Sequence, residues 1–130
     1  MNQVWALVPI KNFAGAKSRL ASVLGAEDRQ SLAKAMAVDV VTALVRSRTI
    51  SRTVVVSDVP KAERLLGVEG VEHFDTRQAR GLIEDLMVAA DWAGSRGATH
   101  VLIVHADLPL LTPASIDRFI RSAGDEPAPQ

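Results

Sequence analysis

The sequence contains no cysteine, which excludes a disulfide framework and a thiolate metal site. Aromatic residues make up only 4%, so a core has to be assembled from Val, Leu, Ile and Ala. Net charge is absent too, because 15 Lys and Arg balance 15 Asp and Glu. That balance argues against a general nucleic-acid binder, although a local basic patch is still allowed. No apolar run approaches the ~20 residues of a membrane helix, so no membrane partner is expected. The opening Met1-Asn2-Gln3-Val4-Trp5 has neither the basic stretch nor the cleavage site of a signal peptide. The expectation is a soluble, cytoplasmic protein. Internal repeats and low-complexity segments are missing as well.

What is present is a chain of 130 residues with 48% hydrophobic content. That corresponds to one domain, or part of one, long enough to bury a real core. Residues 4–9 are apolar on both faces, as in a strand inside a parallel sheet. Residues 27–46 have a helical stripe of Leu32, Met36, Val40 and Leu44, with Ala35 and Ala43 beside it. Glu27 and Asp28 suit the helix start and Arg46 its end. Residues 53–57 form a β-branched strand. Pro60 suits the first turn of a helix reaching Leu66, and residues 71–74 read as a weak strand. Gly81 opens a helix with Leu82, Leu86, Ala89, Ala90 and Ala93 as its stripe, and Gly97 closes it. Residues 100–106 are a further buried strand. Thr112 and Pro113 start a last helix as N-cap and first residue, with Ile116, Phe119 and Ile120 on its apolar face. From Gly124 a disordered tail is expected, leaving residues 1–123 as the α/β domain.

Alternating strands and helices predict a three-layer α/β/α fold around a mostly parallel sheet. Ligands of such sheets bind beyond the carboxyl ends of the strands. Two charged loops fall there. The first follows residues 4–9 and carries Lys11, Lys17 and Arg19, with Gly15 and alanines between them; three fixed cations after a buried strand suit a polyphosphate. It is not a P-loop, because Ala16 separates Gly15 from Lys17 and Lys11 stands where the first glycine belongs. A Gly-x-Gly-x-x-Gly motif is missing too. Phosphate would be held by side-chain cations and backbone amides. The second loop is Ala106-Asp107-Leu108-Pro109-Leu110. Asp107, directly after a strand, is placed to hold Mg²⁺, which takes one or two carboxylates and fills its other sites with water and phosphate.

Val8-Pro9-Ile10-Lys11, Ala16-Lys17-Ser18-Arg19-Leu20, Val54-Val55-Val56-Ser57-Asp58, Arg80-Gly81-Leu82 and Ala106-Asp107-Leu108-Pro109-Leu110-Leu111 together resemble the 2-phospho-L-lactate guanylyltransferase family. That family is related to the molybdenum-cofactor guanylyltransferases. The resemblance implies a nucleotide-diphospho-sugar transferase (glycosyltransferase-A-like) fold and an Mg²⁺-dependent enzyme of coenzyme F-420 biosynthesis. Such an enzyme transfers GMP from GTP to 2-phospho-L-lactate, phosphoenolpyruvate or 3-phosphoglycerate and releases pyrophosphate. It further implies that Pro9, Lys11, Lys17, Arg19, Ser57, Asp58 and Gly81 bind substrate. Lys17, Arg19 and Asp107 would carry the chemistry, with Asp107 on the metal.

There are two departures from the family pattern. Ile83 stands where the family usually has Asn, removing a polar contact to the nucleotide. Family members are also longer, so the expected fold is truncated at its carboxyl end. A free sheet edge there would favour a homodimer. A non-catalytic, shortened nucleotide-binding or assembly protein is the alternative reading. Trp5 and Trp92 are expected to pack, His73 and His100 to be surface or satisfied residues, and Glu84 and Asp85 to serve the helix dipole.

Overall fold

The computed structural model describes residues 2–11, 25–77, 81–106 and 112–125. Four strands and four helices alternate: β1 (Val4–Pro9), α1 (Ala26–Arg46), β2 (Arg52–Ser57), α2 (Ala62–Leu66), β3 (Val71–Asp75), α3 (Leu82–Ser95), β4 (His100–Ile103) and α4 (Pro113–Asp125). The sheet runs in the order β3-β2-β1-β4, and every pairing in it is parallel. The two central strands, β1 and β2, are buried on both faces, which explains their continuous apolar runs, whereas the outer strands β3 and β4 are half-buried.

Side-chain alternation along each strand sorts the core into two layers. Ala6 and Val8 of β1, Ile10 just after it and Val55 of β2 meet Val40, Val41 and Leu44 of α1, Ala62 and Leu66 of α2, and Ile116 of α4. Trp5 and Leu7, with Val54 and Val56, meet Leu86, Ala89 and Ala93 of α3 on the opposite face. The expected α/β/α sandwich is therefore present, with three helices on one face and one on the other.

Some boundaries and faces differ from expectation. The strand expected over 100–106 pairs only through Ile103. Val104 N–H donates to Leu7 C=O at 3.0 Å, whereas Ile10 N–H donates across to Val56 at 3.0 Å. Odd residues of β1 thus bond toward β4, and the next odd residue is Pro9, which has no N–H to give. The β1–β4 ladder ends there. α2 starts at Ala62, not Pro60, because Lys61 adopts a left-handed conformation at φ 55°. Leu32 is 37% exposed and Ala35 is exposed, so the α1 stripe does not extend that far. A helix of 21 residues is ~31 Å long, whereas β1 with 6 residues spans ~20 Å. Only the second half of α1 therefore lies over the sheet. Phe119, expected on the inner face of α4, is 59% exposed. α4 itself continues to Asp125; residues 126–130 lie outside the described residues.

α4 is anchored by a contact that the sequence does not advertise. Asp117 Oδ1 accepts from the Ser47 hydroxyl at 2.6 Å, the Thr49 hydroxyl at 2.8 Å and the Thr49 N–H at 3.3 Å. Ser47 and Thr49 belong to the α1–β2 connection, so the carboxylate ties α4 to it. Thr112 caps α4 as expected: its hydroxyl accepts the Ser115 N–H at 3.1 Å, and the Ser115 hydroxyl reciprocates toward the Thr112 N–H at 3.1 Å. The Ser47 hydroxyl bond, followed by that of Thr49, holds the Asp117 carboxyl below its ordinary pKa. A depressed native pKa stabilises the fold above the unfolded value of ~3.9, and the contribution is lost as pH falls through the native value. Asp117→Asn is therefore expected to be less stable than the parent at pH 7, with the gap closing toward pH 2. Urea unfolding across that range checks this; parallel stability curves would exclude the ionised anchor.

Candidate functional site

The carboxyl ends of β1, β2 and β3 open into a cleft of about 290 Å³. β1 contributes Pro9, with Ile10 and Lys11 just beyond it. β2 contributes Val56 and Ser57, followed by Asp58. Thr76 follows β3, and Gly81, Leu82, Asp85 and Leu86 come from the start of α3. The walls are largely apolar, and the polar groups converge on one sheet edge. That is the usual ligand position in an open parallel sheet and the usual character of a small-molecule pocket.

The cleft floor is held by backbone bonds. Ser57 C=O accepts the Thr76 N–H at 3.1 Å and lies 3.0 Å from His73 Nε2. A carbonyl can only accept, so His73 donates through Nε2. His73 is thus a satisfied structural histidine, as expected. The Ser57 hydroxyl accepts the Val59 N–H at 3.1 Å and shapes the turn after β2. Ser57 and Thr76 are both buried and Asp58 is exposed at the mouth. Gly81 precedes α3 at φ 120°, ψ 154°, a region essentially reserved for glycine.

Of the residues singled out from sequence, Pro9, Lys11, Ser57, Asp58 and Gly81 line this one cleft. Lys17, Arg19 and Asp107 lie outside the described residues. Thr76 and Asp85 were missed. Thr76 follows a strand of weak signal, and Asp85 has an ordinary explanation at a helix start. Ile83 is 74% exposed and is not among the described residues lining the cleft. The departure at that position therefore leaves this lining unchanged. Trp5 and Trp92 pack edge to face, with centroids 5.6 Å apart at 73°, and neither lines the cleft. Among the described residues no group of three or more His, Asp or Glu could hold a metal ion.

A family model described as guanylyl transferase CofC like matches residues 4–127. The chain belongs to this family. Within the CofC-like family, phosphoenolpyruvate guanylyltransferase of Conexibacter woesei is 39% identical over 117 residues, which cover 89% of this chain and 52% of that protein. The 2-phospho-L-lactate guanylyltransferase of Methanothermobacter thermautotrophicus is 31% identical over 121 residues, covering 91% and 52%. The chain spans about half the length of these curated relatives. A solved chain described as a nucleotide-diphospho-sugar transferase, from Desulfovibrio desulfuricans G20, has a TM-score of 0.74 at 18% identity, covering 96% of this chain and 56% of that one. Similarity at that identity supports the fold, and the fold agrees with the one expected from sequence.

Proposed function

We propose that this CofC-like chain carries the nucleotide-binding half of a guanylyltransferase reaction in coenzyme F-420 biosynthesis. The reaction joins GMP from GTP to a phosphorylated three-carbon acid. The observation that carries this reading is the convergence of Pro9, Lys11, Ser57, Asp58 and Gly81 on one cleft at the sheet edge. Phosphoenolpyruvate is the first acceptor to test, because relatives named for it are 34–39% identical to this chain. 2-Phospho-L-lactate and 3-phosphoglycerate follow.

In this reading a phosphate oxygen of the acceptor attacks the α-phosphorus of GTP in line. A P–O bond forms, the bond between the α-phosphorus and the bridging oxygen breaks, and pyrophosphate leaves with that oxygen. The attacking oxygen is already anionic, so positioning and charge neutralisation carry the rate. Lys11, Lys17 and Arg19 neutralise the triphosphate. Asp107 would be the carboxylate that holds Mg²⁺, which supplies further positive charge beside the phosphates when bound.

The test is pyrophosphate release from the chain supplied with GTP, Mg²⁺ and each acid in turn. Release with one acid is expected. Binding of GTP without release for any acid would remove the enzyme reading and leave the non-catalytic nucleotide binder. Lys17→Ala is expected to weaken GTP binding by about 10- to 100-fold, the value of one charge-assisted phosphate contact, with an unchanged unfolding midpoint. Unchanged affinity would remove Lys17 from the triphosphate site.

A further inference from the structure

We propose that Thr76 is a base-contacting residue of this cleft, with its hydroxyl as the hydrogen-bond partner for the edge of the nucleotide's heterocycle. The inference rests on the nucleotide-binding reading above and names a side chain that meets the base. Thr76 directly follows β3, is only 4% exposed, and lines the cleft. Its main chain is fixed, because its N–H donates to Ser57 C=O at 3.1 Å. Its hydroxyl makes no hydrogen bond among the described residues, yet it is not one of the unpartnered polar atoms there that are closed off from solvent. The little surface that Thr76 exposes therefore opens on the cleft. The other polar side chains of the described lining are placed differently. Lys11 and Asp58 are exposed, the Ser57 hydroxyl is engaged by the Val59 N–H, and Asp85 interacts within the protein.

A hydroxyl in an apolar wall is unfavourable unless something bonds to it, and valine would fill the same branched shape without that cost. A ligand that enters the cleft displaces water from the hydroxyl. It has to replace that hydrogen bond or lose affinity. Charge decides which part of the nucleotide does so. The described lining holds one cation, Lys11, and two carboxylates, Asp58 and Asp85. A phosphate set among them would meet more negative than positive charge, beside apolar walls that cannot solvate it. A heterocycle is neutral and flat. Its faces cover Val56, Leu82 and Leu86, and its edge carries ring nitrogens, carbonyls and amino groups. A hydroxyl both donates and accepts, so it can pair with any of these. The cleft volume of about 290 Å³ lies at the low end for small-molecule pockets, ~300 Å³ and upward. It fits a base better than a whole nucleoside triphosphate.

The test compares the parent chain with Thr76→Val, which removes the hydroxyl, and Thr76→Ser, which keeps it. Binding of GTP and of inorganic tripolyphosphate, both with Mg²⁺, is measured by calorimetry, and the unfolding midpoint of each variant is measured alongside. Thr76→Val is expected to weaken GTP binding by about tenfold, the worth of a buried polar group left unpaired. Tripolyphosphate binding should stay at the parent's level. The midpoint should be unchanged or raised, because the hydroxyl has no partner inside the protein to lose. Thr76→Ser should bind GTP within a few-fold of the parent. Unchanged GTP binding in Thr76→Val, an equal loss for tripolyphosphate, an equal loss in Thr76→Ser, or a lowered midpoint in Thr76→Val would each overturn the inference while leaving the triphosphate reading intact. Failure of the parent to bind GTP would overturn that reading, and this inference with it.

Discussion

Trp5→Ala is expected to destabilise the domain by about 3–5 kcal/mol, the range for removing a buried tryptophan from a packed core. Trp5 is only 2% exposed and is the second residue of β1. Its neighbours in the α3-side layer are Leu7, Val54, Val56, Leu86, Ala89 and Ala93. Trp92 meets it edge to face, and the Arg52 guanidinium lies 4.8 Å from its ring centroid. The neighbours that frame the ring, among them the small Ala89 and Ala93, sit on regular elements in a close-packed interior that relaxes only in part around a void. Against a total stability of ~5–15 kcal/mol, the loss is a large share. Urea unfolding with an unchanged m-value measures it. A loss under about 1 kcal/mol would mean that the two faces of the sheet are not packed as described. The cost should also reach the cleft, because the same layer seats α3, and α3 supplies three of the lining residues.

The second large effect is expected at Gly81, and it has an internal control. Gly81→Ala should cost about 1–3 kcal/mol, the strain of a side chain in the glycine-only region. The cost is conformational, since among the described residues a Cβ at this position meets nothing within 4 Å. Gly94, inside α3, also has nothing among the described residues within 4 Å of its would-be Cβ, and its φ is not positive. Gly94→Ala should instead stabilise by up to about 1 kcal/mol, through helix propensity and the restricted unfolded chain. Two identical substitutions, one just before α3 and one within it, are therefore expected to have opposite signs. Thermal melts of the pair decide this. Equal effects at both sites would mean that the turn into α3 is not the strained one described. If the cleft holds nucleotide, Gly81→Ala should weaken GTP binding as well, and Gly94→Ala should not.

Parts of the candidate site were legible because they stand directly after strands. In a parallel sheet the residue that follows a buried strand has to emerge at the binding edge, so Pro9, Lys11, Ser57 and Asp58 could be assigned from local pattern. Gly81 was legible as a break before a helical stripe. Asp117 was not legible as an anchor, nor Asp85 as part of the cleft wall. Asp85 is an ordinary acidic residue in the first turn of a helix, which the dipole explains by itself. Asp117 lies beyond the first turn of α4, and its partners Ser47 and Thr49 are remote in sequence; Asp85 lines the cleft together with the ends of β1 and β2, which are equally remote. The misjudged stripe of α1 has the same origin, because periodicity reports a helix face but not how much sheet lies beneath it.

By itself the sequence determined the alternation of strands and helices, the three-layer class and the resemblance to the guanylyltransferases. These follow from short-range regularities: apolar runs, helical spacing, Gly and Pro placement, and charge directly after a strand. Only the tertiary structure decided which helix face is covered, where the β1–β4 ladder stops at Pro9, which hydroxyls hold Asp117, and that the first turn of α3 closes the cleft. Each of those outcomes depends on the relative lengths and registers of segments far apart in the chain, and a local pattern contains no measure of either.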